Sequence, residues 1–93
     1  MANNKSARKR IEINKRNRLR NRFYKSSVRT LIKVFLRKVE IYKNSQDSID
    51  KENAQKVLSS VYRLIDKGSK KNVFHQNTAA RKKSRLATSL KIV

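Results

Sequence analysis

The chain contains no cysteine, no proline and no tryptophan, and only one glycine. Without cysteine, disulfides and thiolate metal sites are excluded, and the redox compartment leaves no mark on the sequence. With one Gly and no Pro in 93 residues, sharp turns are scarce, which argues for long helices and against a sheet of hairpins. Acidic side chains are also few: 6 Asp and Glu stand against 26 Lys and Arg, giving a net charge of +20. Long apolar runs are missing. The longest, Val34-Phe35-Leu36, is far below the roughly 20 residues of a membrane span. The N-terminus, Met1-Ala2-Asn3-Asn4-Lys5, lacks the apolar stretch of a secretory signal, and a basic run that continues straight into the body argues against a transit peptide.

Catalysis requires a nucleophile, a base or paired carboxylates gathered in a pocket. This chain offers one His and six scattered acids. Asp47 and Asp50 read as capping residues, with Asp50 the N-cap of the second helix. His75 has no other ligand near it in sequence with which to hold a metal. The expectation is therefore a protein that is not an enzyme, with no cofactor, no metal, no small-molecule substrate, no membrane and no homo-oligomer.

What is present is positive charge, unevenly spread. Residues 1–27 carry +9, 28–43 carry +4, 44–62 carry −1 and 63–93 carry +8. A compact chain of this charge repels itself and needs an anionic partner, for which nucleic acid is the usual choice, because each neutralised phosphate releases counterions. The pattern predicts an all-α fold of one domain, a three-helix bundle with helices over 5–43, 51–67 and 73–91.

The first helix has two characters. In residues 5–25 the basic side chains fall all round the helical wheel, leaving only Ile11, Leu19 and Phe23 as a thin apolar stripe. A helix lying on a membrane would keep one broad apolar face, so this extension beyond the bundle suits phosphate approaching from several sides. From Val28 the pattern changes: Val28, Leu31, Ile32, Phe35, Val39 and Tyr42 repeat at the spacing of one buried face. Ala54, Val57, Leu58, Val61 and Ile65 repeat it in the second helix, with Ile49 placed to staple back onto Ala54. Gly68 and Asn72 mark the second break, since both tolerate a left-handed backbone. In the third helix Phe74, Ala79, Leu86 and Leu90 turn inward, and Arg81, Lys82, Lys83 and Arg85 turn largely outward.

No Gly-rich phosphate loop, zinc-finger spacing or aromatic RNA-binding motif is present, so recognition rests on backbone and shape. Double-stranded RNA suits that mode, because its base edges are hidden while phosphates and 2′-hydroxyls stay accessible. Charge alone assigns Lys15, Arg16, Arg22, Lys25 and Arg29 to the RNA-binding set. Asn3, Asn4, Asn14, Asn17 and Asn21 read either as neutral donors between phosphates or as compositional bias. His75 reads either as a donor to phosphate or as filler in the first turn of the third helix.

The run from His75 to Ala87, HQNTAARKKSRLA, resembles the signature of the S-twenty family of bacterial-type small-subunit ribosomal proteins. The opening, ANNKSARKRI from Ala2 and NRLRN from Asn17, resembles that family's N-terminus in the same order, so the likeness spans essentially the whole chain. This version is more similar to the cyanobacterial and plastid branch than to the enterobacterial one. It departs at Asn72, where the family usually has Gly three residues before the His. It departs also at Gln76, where Lys or Pro is common, and at Ala79, sometimes Gly. The resemblance implies a three-helix bundle on small-subunit ribosomal RNA, between the 5′ domain and the long helix of the 3′ minor domain, in the bacterial cytoplasm or plastid stroma. It carries RNA contact onto Lys5, Ser6, Arg8, Lys9, Arg10, Asn17, Arg18, Arg20 and Asn21, and onto His75, Asn77, Arg81, Lys82, Lys83 and Arg85. The alternative from another class is a non-specific basic helical protein that compacts DNA or lies on a membrane surface.

Overall fold

The structure, a computed structural model, describes residues 4–93. It contains three helices: α1 (Asn4–Ser45), α2 (Ser48–Lys70) and α3 (Gln76–Lys91). Asn3, among the candidate neutral donors, lies outside the described residues, as do the first residues of the opening motif.

α1 is a single unbroken helix of 42 residues. No Gly or Pro interrupts it, and Ser26-Ser27 do not split it, Thr30 Oγ1 donating to the Ser26 carbonyl at 3.0 Å without disturbing the run. At 1.5 Å per residue it spans about 63 Å, nearly the whole 67 Å long axis of the molecule. The radius of gyration, 18.1 Å, exceeds the roughly 12 Å of a compact domain of this length because the N-terminal part of α1 overhangs the bundle.

α1 ends where Gln46 takes φ 55°, its N–H donating to the Tyr42 carbonyl at 2.7 Å. Only Gln46 and Asp47 link α1 to α2, so the two helices run antiparallel. The N-cap of α2 is Asp47, which accepts from the Ile49 N–H at 3.1 Å, and not Asp50 as the spacing suggests. The tight turn at Gln46 starts α2 three residues early and leaves Asp50 in the first turn, accepting from the Ser45 hydroxyl. A carboxylate there still complements the helix dipole. Ile49 is 62% exposed and does not staple onto Ala54, since the earlier start rotates it out to solvent.

α2 also outlasts its predicted end at residue 67. Gly68 is helical and buried, and the left-handed residue is Asn72, at φ 61°. Asn72 N–H donates to the Ser69 carbonyl at 3.1 Å and Val73 N–H to the Gly68 carbonyl at 2.8 Å. This is the paired closure that a left-handed residue just past a helix end makes possible. Gly68 has a different reason: a Cβ on it would meet the Phe74 ring at 2.6 Å. The helix accepts about 1 kcal/mol of poor propensity there so that Phe74 can lie against it.

The core is built from Tyr24, Val28, Phe35 and Val39 of α1, Ala54, Val61 and Ile65 of α2, Phe74 of the loop, and Ala79, Leu86 and Leu90 of α3. Leu31, Ile32, Tyr42, Val57 and Leu58 pack around it. Tyr24 extends the buried face one turn beyond the expected start at Val28. α3 begins at Gln76 rather than at residue 73, because Asn72 reverses the chain and Phe74 is buried before the helix starts.

Candidate nucleic-acid interface

Three cationic surfaces follow from this architecture. The first is the overhang. Residues 4–16 of α1, about 20 Å of helix, lie beyond the body, and Lys5, Ser6, Arg8, Lys9, Arg10, Lys15 and Arg16 are exposed on them, as is Arg18 just after. Asn17, Arg20 and Asn21 are half-buried where α1 meets the body. Arg20 does not stand free: its Nη2 donates to the Lys71 carbonyl at 3.2 Å, bracing the α2–α3 loop against α1. Arg20 Nε and Asn21 Oδ1 are shielded there without a hydrogen-bond partner in the chain.

The second surface is a cleft between α1 and the start of α3. Lys25, Arg29 and Lys33 rise along α1 at intervals of four residues, and Phe74, His75, Thr78 and Lys82 close the opposite side. Apolar Val28, Ile32 and Val73 form part of the lining, so the cations stand on a low-dielectric wall that strengthens their field. His75 is the N-cap of α3. Its Nδ1 accepts from the Asn77 N–H at 3.1 Å, which leaves the proton of a neutral ring on Nε2, aimed away from the helix. Both readings of His75 are thereby compatible: one nitrogen ends the helix and the other remains a donor. The α3 dipole adds partial positive charge at the same end.

The third surface is the exposed ridge of α3. Asn77, Arg81 and Arg85 recur at intervals of four and are all exposed. Lys83 does not belong to it. The outward expectation fails for Lys83 because it shares the side of α3 that carries Ala79, Leu86 and Leu90. Its Nζ lies 2.9 Å from Asp66 Oδ1 and 5.1 Å from the Tyr62 ring centroid. Tyr62 in turn donates its hydroxyl proton to the Lys83 carbonyl at 2.9 Å.

Among the described residues the only other ion pair is Lys56–Glu52, at 4.0 Å. The cations of the overhang and of the cleft have no carboxylate partner, and Arg22 is exposed like its neighbours. Among the described residues no group of three or more metal-ligating side chains forms, and no helix is long and apolar enough to cross a membrane.

The family model described as Ribosomal protein S20 matches residues 2–91. This chain belongs to the S20 family. It is 74% identical over 92 residues to the small ribosomal subunit protein bS20c of Phaeodactylum tricornutum, covering 99% of each chain. A bS20c from Trieres chinensis is 70% identical over the same share. The bS20 of the cyanobacterium Microcystis aeruginosa is 53% identical, across 100% of this chain and 96% of its own length. The chain therefore sits in the plastid and cyanobacterial branch of S20.

Within S20, the left-handed turn expected three residues before the His is supplied by Asn72. Gly68 is left to the separate task of admitting Phe74. Sequence reasoning missed Lys33 as a member of the cleft and Ser69 and Lys70 beside Asn72 and His75, where a second shallow depression lies. Lys33 had a legible signal, since it stands four residues after Arg29 and eight after Lys25. Ser69 and Lys70 had none, because their place depends on how far α2 runs past Gly68.

Proposed function

We propose that this chain is a structural constituent of the small ribosomal subunit, in plastid stroma or bacterial cytoplasm. It binds 16S-type ribosomal RNA directly, neutralising phosphates and fastening two RNA segments together. The observation that carries this reading is the cation-lined cleft between α1 and the start of α3. There Lys25, Arg29, Lys33 and Lys82 converge without carboxylates, beside the His75 donor. A phosphate held there meets fixed donors, and counterion release supplies the affinity. The overhang offers a separate surface, so one chain reaches two RNA segments, and the resemblance assigns these to the 5′ domain and the long helix of the 3′ minor domain. Lys5, Arg8, Lys9, Arg10, Lys15, Arg16 and Arg18 serve the overhang. Asn77, Arg81 and Arg85 extend the cleft along α3.

The names of the relatives support the subunit assignment. The tagged chain, expressed in a cyanobacterium and run on sucrose gradients in high salt, is expected to sediment with the small subunit. Its recovery at the top of the gradient, or on chromosomal DNA, contradicts the reading and favours a non-specific DNA-compacting protein.

A further inference from the structure

Among the described Phe and Tyr residues Phe23 is the only one that is mostly exposed, at 60%. A lone exposed apolar group is ordinary on a soluble protein. Two features set this one apart. The ring is held in place: it meets Tyr24 edge to face, with centroids 5.4 Å apart and planes at 81°. Tyr24 is itself buried, lying near Gly68 at the end of the core. The ring also has a platform and a cationic frame. Leu19, one turn earlier on the same side, is 54% exposed, Lys15 and Arg16 stand one turn before Leu19, and Arg22, the residue before Phe23, is exposed.

These features select the occupant. Two side chains fall far short of the ~1,000 Å² that a stable protein partner covers, and a second copy of this chain would bring another +20 into the same field. A flat apolar face with cations along one side is complementary to a nucleobase, whose π-face takes the ring while its flanking phosphates take the cations. We propose that Phe23, backed by Leu19, is a stacking platform for an unpaired base of the bound RNA. This inference rests on the RNA-binding reading and adds to it a contact that recognises unpaired nucleotides rather than charge. Phe23 lies two residues before Lys25, on another face of α1, so the platform is separate from the cleft.

The test uses the full chain and a transcript of bacterial-type 16S ribosomal RNA. Phe23→Ala and Phe23→Leu are expected to weaken binding about 5- to 100-fold, the range that loss of one stacked base gives, with an unchanged salt slope and unchanged far-ultraviolet circular dichroism. Phe23→Trp is expected to keep wild-type affinity. Because the chain has no other Trp, its fluorescence reports directly, and quenching on saturation with RNA is expected. Wild-type affinity in Phe23→Ala or Phe23→Leu, or Trp emission unchanged at saturation, overturns the stacking role, including in favour of a protein partner at this patch. A wild-type chain with a flat salt response would instead strike the RNA reading beneath it.

Discussion

Lys82 lines the cleft beside Lys25 and Arg29, whereas Lys83, about 100° further round α3, is turned back onto Asp66 and Tyr62. The pair separates two tasks for a cation. Lys82→Ala is expected to lower the magnitude of the log–log salt slope of RNA binding by about one, as loss of a phosphate contact does. Lys83→Ala is expected to leave that slope intact and to lower thermal stability by less than about 1 kcal/mol, since its ion pair is solvent-screened. Salt titrations and melts of the two variants check this, and an equal loss of slope from both would remove the distinction. The sequence could not separate them: both sit in one basic run, and their roles depend on where Asp66 falls one helix away. Tyr24 was illegible for a similar reason, being flanked by Arg22, Phe23 and Lys25, and it is buried only because Gly68 and Phe74 meet it.

At the scale of elements, α1 joins a part that packs to a part that does not. From Tyr24 to Val39 it buries an apolar face, but residues 4–16 are exposed throughout and carry like charges one turn apart. Such pairs destabilise a helix, and most helical stability in proteins comes from tertiary burial. Hydrogen exchange on the free protein is expected to show fast exchange over 5–20 and protection over 28–42, with protection of 5–20 appearing once RNA is bound. Slow exchange over 5–20 without RNA would show that the overhang is stable alone. The three helices were legible because Val28 to Tyr42 and Ala54 to Ile65 repeat at helical spacing over several turns. Their ends were less so. Asp47 rather than Asp50 caps α2, and Gly68 lies inside it, because a two-residue turn and the Phe74 ring decide those positions. Neither leaves a periodic trace.

The whole molecule is a rod, 67 Å long and 13 Å across its thinnest dimension, and in its sequence two basic regions flank a near-neutral stretch, residues 44–62, that holds the turn between α1 and α2. That form follows from composition: little apolar material, no proline and 26 cations give a thin core and a surface that requires a polyanion. The class of partner was thus legible in charge, and the family in the motifs at both chain ends. The cleft was not, because it exists only once the Asn72 turn sets His75 and Lys82 against Lys25, Arg29 and Lys33. The central claim is that phosphate neutralisation by these surfaces drives binding. Its most direct test is the affinity for bacterial-type 16S ribosomal RNA measured across a series of salt concentrations. If about ten phosphates are neutralised, the log–log slope is expected at about −7 to −9; a flat response, or a slope no steeper than one or two contacts give, would contradict the account.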